Sequence, residues 1–248
     1  MQSLVFTDLD DTLFQTLRKC GSQVGADLEP RAYLKDGSII SYSTPKQNWL
    51  WQWVSHQSHI IPVTARNFDA FARVDLPFRA EAILNHGAVI LDRNRQLNQV
   101  WHDYMTGILP TYADALADLW HVILAYAGHD PALKPRLIQD FGVTWYGVIK
   151  HADANEAALD VLRCTVVMPH EAVACGQLYC HSNGNNLAIL PKIIGKADAV
   201  NFLIEHYRNH FDQFVTIGLG DSHTDLPFMS LCDYAIVPQH SQLGAMFE

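Results

Sequence analysis

Short apolar runs recur along the chain, and each ends in polar residues. Residues 4–6, 59–63 and 214–217 each predict a buried strand, whereas residues 196–211 have the apolar spacing of a helix. Strands that alternate with helices in this way favour a mostly parallel, doubly wound α/β sheet. Such sheets bind ligands in the crevice at the carboxyl ends of their strands. The polar residues after each run are therefore the first place to look for a site.

The pattern changes after Gly87. Helical periodicity and strand-like runs then follow within about a hundred residues: helices at 111–127 and 153–163, strands at 142–149, 165–168, 177–180 and 186–190. We expect an inserted α+β cap domain at residues 87–190. The catalytic core would then consist of residues 1–86 and 191–248.

Composition narrows the classes of partner. The formal net charge is −9, and no stretch concentrates basic residues, so nucleic acid is not expected to bind. An anionic substrate would be repelled by this net negative charge, so a local cation would be needed to attract it. The five cysteines form no CxxC pair, which favours a reducing compartment. The sequence also shows no signal peptide and no apolar run of membrane-spanning length. We therefore expect a cytoplasmic protein without a membrane partner. We expect a monomer or a weak homodimer.

Two carboxylates stand directly after the first strand. Asp8 and Asp10 are spaced i, i+2, so their side chains point the same way on an extended chain. Asp is rarely buried unless it is paired, bound to a metal or catalytic. An Asp-rich turn that merely ends the strand is the alternative, because Asp also favours turns. The pair alone does not decide between a turn and a site.

Two further strand ends carry oxygen ligands. Thr64 follows the strand at 59–63, and Asp221 and Asp225 follow the strand at 214–217. Together with Asp8 and Asp10 these side chains form a set of hard oxygen donors, which favours Mg²⁺ over zinc or copper. A basic residue is still needed to neutralise a phosphate, and Lys196 at a predicted helix start is the best candidate.

These residues resemble the four motifs of the haloacid dehalogenase-like phosphatase superfamily, in order. The first motif, DxDx[TV], is Asp8, Asp10 and Thr12; the second is Thr64; the third is Lys196; the fourth, GDxxxD, is Gly220, Asp221 and Asp225. The insert between the second and third motifs corresponds to the type 2 cap. The strings around 85–90 and 220–226 look like the branch that contains sucrose-phosphate and trehalose-phosphate phosphatases.

The resemblance implies a role for each catalytic side chain. Asp8 would attack phosphorus and form an aspartyl-phosphate, and Asp10 would act as general acid and then as general base. Thr64 would hydrogen-bond the phosphoryl oxygens, and Lys196 would stabilise their charge. Lys192 lies close enough to leave the third motif open, although Lys196 better fits the helix start after Gly195.

The resemblance also implies a Mg²⁺ site. The Asp8 carboxylate, the Asp10 backbone carbonyl and Asp221 would bind the metal, with Asp225 either a ligand or a partner of one. Thr12, grouped with the substrate-binding residues, would orient the nucleophile loop through its hydroxyl.

Two residues near the motifs stand apart. Arg66 could bind a phosphate or sugar oxygen bidentately, or could pair with a core acid. Asp11 occupies a position of the first motif where Gly is usual, and we do not expect it to take part in the chemistry.

The function implied is a Mg²⁺-dependent phosphomonoester hydrolase that acts on a small phosphorylated sugar or polyol. A sugar phosphomutase of the same superfamily and a non-catalytic sugar-phosphate-binding regulator are the alternatives.

Overall fold

A computed structural model describes residues 2–23, 27–211 and 213–247. The chain divides into two compact units, Met1–Gln99 with Gly195–Glu248, and Val100–Ile194. The unit boundaries lie at 99/100 and 194/195, whereas the sequence places the domain boundaries at 86/87 and 190/191.

The first unit combines a parallel sheet with hairpins and helices. Its strands are β1 (Gln2–Thr7), β2 (Gln15–Thr16), β3 (Glu29–Tyr33), β4 (Ile39–Ser43), β5 (Ser58–Pro62), β6 (Ala82–Leu84), β7 (Val89–Leu91), β12 (Phe214–Leu219) and β13 (Tyr234–Ile236). Its helices are α1 (Pro45–Ser55), α2 (Phe68–Phe71), α7 (Lys196–Arg208) and α8 (Leu226–Met229). β7 pairs with β6 as an antiparallel hairpin, which keeps residues 89–91 in this unit.

The parallel sheet has the strand order β13-β12-β1-β5. β1 is one of its two interior strands, and Leu4, Val5 and Phe6 are fully buried, as the apolar run predicts. Thr7 is opposite both Leu219 of β12 and Pro62 of β5, so three strands end in one row. This sheet confirms the α/β class predicted for the core, and the row of strand ends is the edge at which the sequence predicts the site.

The second unit is an antiparallel sheet with helices. It contains α3 (Gln99–Ile108), α4 (Ala113–Ala127), β8 (Leu133–Asp140), β9 (Val143–His151), α5 (Glu156–Leu162), α6 (Glu171–Ala174), β10 (Leu178–Ser182) and β11 (Leu187–Pro191). The sheet order is β10-β11-β9-β8. Its core joins Leu119 and Ile123 of α4 to Ile149 and Ile189 of the sheet. A side chain at Gly147 would collide with the Trp120 ring, so the glycine permits α4 to approach β9 closely.

The strand predicted at residues 165–168 is wrong. Residues Arg163–Val167 form a π-helical turn that continues α5. The two adjacent valines, Val166 and Val167, favour a strand by their β-branched side chains. In the structure Val167 is fully buried in the core of this unit. Burial on a helical path therefore overrides the local β preference.

Among the described residues, no helix combines the length and the apolar character that a membrane crossing requires.

Candidate active site

The end of β1 places Asp8 at the centre of the row of strand ends. The Asp8 backbone N–H donates to the Leu219 carbonyl (2.8 Å), and the Val63 N–H donates to the Thr7 carbonyl (2.8 Å). The Asp8 side chain is buried. Strand pairing therefore fixes the main chain at the point where this carboxylate emerges.

A compact loop follows Asp8 and is anchored by buried apolar side chains. Leu9, Leu13 and Phe14 are buried, and the Leu13 N–H donates to the Leu9 carbonyl (2.9 Å). Asp11 has φ 65°, in the left-handed region that Gly adopts most easily, which explains why Gly is usual there. Its carboxylate pairs with Lys19.

Lys196, the first residue of α7, lies between two carboxylates. Its Nζ is 2.7 Å from Asp8 Oδ1 and 2.6 Å from Asp225 Oδ1. Lys196 is buried, whereas Lys192 is exposed and belongs to the second unit. The position of Lys196 therefore supports its assignment as the third motif.

Asp225 has partners on both oxygens. Oδ1 accepts from Lys196, and Oδ2 accepts from the Ser222 backbone N–H (3.0 Å) and hydroxyl (2.6 Å). Burial alone would raise the pKa of Asp225, but Lys196 and Ser222 outweigh it and lower that pKa. Because both oxygens already have partners, Asp225 is better suited to positioning Lys196 than to binding a metal ion.

Asp221 follows β12 and lies near Asp8. The Thr12 hydroxyl donates to Asp221 Oδ1 (3.2 Å), so Thr12 orients this carboxylate. Burial, with the nearby Asp225 and Asp11 carboxylates, raises the pKa of Asp221 to about 6. Carboxylate oxygens of Asp8, Asp221 and Asp225 lie within 4.8 Å of one another.

The charges of this cluster fit a divalent cation. Three carboxylates, Asp8, Asp221 and Asp225, face one ammonium group, that of Lys196, which leaves an excess of negative charge in a buried place. Burial, together with the neighbouring Asp225 and Asp10, holds the pKa of Asp8 well above its usual range despite Lys196. Raised pKa values on all-oxygen ligands are expected where a cation would supply the countercharge, and hard oxygen donors suit Mg²⁺.

Asp10 and Arg66 form a bidentate pair. Arg66 Nε is 2.8 Å from Asp10 Oδ2, and Nη2 is 2.7 Å from Oδ1. The guanidinium carbon lies 5.2 Å from the centre of the Phe14 ring. Of the two roles left open for Arg66, the structure has it paired with an acid, and that acid is the predicted general acid and base.

Thr64 lies just beyond β5, in the same row of strand ends. Its side chain is buried, and its Oγ1 accepts from the Arg66 backbone N–H (3.1 Å). The acceptor role leaves the hydroxyl proton for another group, so Thr64 can donate to an incoming oxyanion.

Sequence reasoning missed the close approach of two glycines. Gly87 has φ 105°, and a Cβ built on it would lie 2.2 Å from the Gly195 carbonyl oxygen. Gly195 is the N-cap of α7, immediately before Lys196. The left-handed run Asn85, His86 and Gly87 therefore packs against the start of α7. The Asn-His-Gly string was the available signal, but its contact partner lies more than a hundred residues away in the chain.

Comparison with known proteins agrees with this geometry. Residues 166–239 match the sequence profile of the haloacid dehalogenase-like hydrolase family. No protein with a curated description matches the chain in sequence.

Solved structures share its fold. A Synechocystis sucrose-phosphatase in complex with sucrose and phosphate is 18% identical, with a TM-score of 0.52 over 99% of this chain and 95% of that chain. The C-terminal domain of a Candida albicans trehalose-6-phosphate phosphatase is 13% identical, with a TM-score of 0.56 over 92% and 73%. At these identities the likeness shows the fold. The family profile is matched by residues 166–239, which are less than half of the chain, and the sequence motifs resemble those of the same family.

Proposed function

We propose that the chain is a Mg²⁺-dependent phosphomonoester hydrolase that acts on a small phosphorylated sugar or polyol. One observation carries the proposal: Lys196 joins Asp8 and Asp225 in a buried cluster that also contains Asp221. A site that only binds phosphate needs cations and has no use for a carboxylate, which repels the phosphate. This cluster instead presents a carboxylate with a lysine beside it. A carboxylate nucleophile is a known solution for phosphoryl transfer.

In the first step an Asp8 carboxylate oxygen attacks phosphorus, and the bond from phosphorus to the sugar oxygen breaks. For this step Asp10 is protonated, with one of its oxygens released from Arg66, and it gives that proton to the departing oxygen, which leaves as a hydroxyl group. Lys196 and the Thr64 hydroxyl stabilise the negative charge on the phosphoryl oxygens while phosphorus is partly bonded to both Asp8 and the sugar oxygen. The product is an aspartyl-phosphate at Asp8.

In the second step a water molecule attacks the same phosphorus. Asp10, now ionised, accepts a proton from this water, and the bond from phosphorus to the Asp8 oxygen breaks. Inorganic phosphate is released, and both carboxyl groups return to their initial states. Asp10 thus serves in turn as acid and base.

The Asp8 and Asp221 carboxylates and the Asp10 carbonyl would hold Mg²⁺, with Asp225 as a partner of Lys196. A bound Mg²⁺ supplies electrostatic stabilisation of the phosphoryl oxygens. The two sugar phosphatases named above support a sugar phosphate as substrate. The second unit, residues 100–194, would set the choice of sugar.

The cysteines fit a cytoplasmic location, since Cys20, Cys164, Cys175, Cys180 and Cys232 are all free thiols. We propose a small phosphorylated metabolite, and no nucleic acid, as the partner, with the chain acting as a monomer or weak homodimer.

The test is a screen of phosphorylated sugars and polyols with Mg²⁺, in which released phosphate is measured. Asp8→Asn should abolish turnover, because it removes the nucleophile and keeps the size of the side chain. Asp75→Asn is the matched control, since Asp75 is exposed in the same unit. If Asp8→Asn retains wild-type turnover, the mechanism is refuted.

Product analysis separates the alternatives. Free phosphate indicates hydrolysis, and an isomeric sugar phosphate indicates a mutase. Binding of a sugar phosphate without either product indicates a regulator.

A further inference from the structure

The main chain of Asp221 is bonded to a segment close to the C-terminus. The Leu243 backbone N–H donates to the Asp221 carbonyl oxygen (3.0 Å), and the Leu243 side chain is only 2% exposed. A longer contact runs from the His223 N–H to Gln242 Oε1 (3.5 Å). The loop that carries Asp221 therefore rests on residues that no motif includes.

This segment, residues 238–247, is a built structure that we call the C-terminal turn. The Ser241 hydroxyl donates to the Pro238 carbonyl (2.5 Å) and accepts from the Gly244 N–H (2.9 Å). A Cβ on Gly244 would lie 2.0 Å from the Gln239 carbonyl oxygen. Only glycine allows the chain to fold back so closely, and this fold places Leu243 against Asp221.

Asp221 is thus fixed at two points. Thr12 holds its carboxylate (3.2 Å), and Leu243 holds its carbonyl (3.0 Å). Mg²⁺ requires a near-ideal octahedral arrangement, so a ligand that can rotate binds it less well. Groups that orient a metal ligand typically change metal affinity by about 10- to 100-fold.

We propose that the C-terminal turn is a positioning element of the metal site, which sets Mg²⁺ affinity through the Leu243 N–H and Asp221. The inference rests on the metal site of the proposed function. The turn contributes no ligand and touches no substrate in this role. Its loss would lower Mg²⁺ affinity and leave the chemistry at saturating metal largely intact.

Two shortened chains test this role. A chain that ends after Gln242 lacks the Leu243 donor. A chain that ends after Ala245 keeps Leu243 and Gly244 and loses the exposed side chains of Met246 and Phe247 together with Glu248, so it is the matched control. Gly244→Ala is a third variant, which displaces the turn without shortening the chain.

The primary readout is Mg²⁺ binding to metal-free protein by titration calorimetry, with circular dichroism to check folding. We expect about 10-fold or weaker binding for the chain ending at Gln242 and for Gly244→Ala, and wild-type binding for the control. In the phosphate-release assay, raised Mg²⁺ should restore kcat.

The outcomes are distinct. Wild-type Mg²⁺ affinity in either folded test variant overturns the positioning role and leaves the proposed function standing. No Mg²⁺ binding by the wild-type chain overturns the metal site itself, and with it this inference. If the chain ending at Gln242 does not fold, Gly244→Ala against the Ala245 control decides the question.

Discussion

The Arg66 guanidinium makes two hydrogen bonds to the Asp10 carboxylate, at 2.8 and 2.7 Å. A bidentate pair fixes the orientation of a carboxylate as well as its position. In the proposed mechanism this carboxylate must reach the leaving oxygen, so Arg66 governs the geometry of proton transfer.

We therefore expect Arg66→Gln to lower kcat on a sugar phosphate by about 100-fold, the lower range for a general acid. p-Nitrophenyl phosphate has a leaving group that needs no proton, so release of its leaving group in the first turnover should fall much less, whereas the water step needs Asp10 with either substrate. Asp10→Asn should show the same contrast between the two substrates. Equal losses of first-turnover release on both would mean that Arg66 acts in another way.

Lys196 is the cation between two buried carboxylates, Asp8 and Asp225. Lys196→Met should lower the free energy of unfolding by about 3–5 kcal/mol, because it leaves buried charges without a partner. Urea denaturation in EDTA measures this. Lys192→Met removes an exposed lysine four residues away and should change stability little. A stable, fully folded Lys196→Met protein would show that the carboxylates are neutral or hydrated.

Substitution of Gly87 and of Gly37 by Ala would distinguish backbone strain from steric conflict. Both have positive φ, 105° and 82°, but a Cβ at Gly37 meets nothing within 4 Å. Gly37→Ala should cost about 1–2 kcal/mol, the penalty of a left-handed conformation. Gly87→Ala should cost more and should also lower kcat, because it pushes against Gly195 and displaces Lys196. Thermal unfolding and phosphate release would measure the two effects, and identical behaviour of the two variants would argue against the contact.

Asp233 links acidity to the stability of the sheet. Its Oδ2 accepts from the Thr216 backbone N–H (2.8 Å) and hydroxyl (2.8 Å), and these bonds lower the pKa of Asp233. The Asp233 carboxylate therefore binds a proton less well in the folded state than in the unfolded state. As a result, the two bonds stabilise the folded protein at pH values above the ordinary Asp pKa of about 3.9. That stabilisation is lost as the pH falls below this value.

Asp233→Ala should therefore be less stable than the wild type at pH 7, and the difference should shrink between about pH 4 and pH 2. Urea denaturation across this range is the measurement. Thr216→Val removes one of the two donors and should reduce the pH dependence without abolishing it. A stability difference that does not change with pH would exclude this carboxylate as the source.

Residues next to strand ends could be placed from the sequence. Asp8, Thr64 and Asp221 each follow an apolar run, and parallel strands bring such positions to one edge. Lys196 needed the family resemblance as well, since a helix start alone does not show which carboxylate it meets.

Contacts made by backbone geometry could not be placed in this way. Gly87 approaches Gly195 because it lacks a Cβ, but the Asn-His-Gly string does not show which residue it meets, and Leu243 contacts Asp221 through a main-chain N–H that almost every residue type has. The sequence carries no chemical mark for such bonds. Arg66 had two plausible partners, and the choice of Asp10 depends on a distance that only the folded chain defines.

The register of β1 has a consequence for how the protein is made. Its neighbours are β5, from the first third of the chain, and β12, from residues 214–219. During synthesis β1 lacks its β12 partner, with one edge unpaired, until residues 214–219 have left the ribosome. Asp8 and Asp221 meet only when that pairing closes. A chain that lacks residues 214–219 therefore cannot bring Asp8 and Asp221 together, and the candidate site forms only with this long-range pairing.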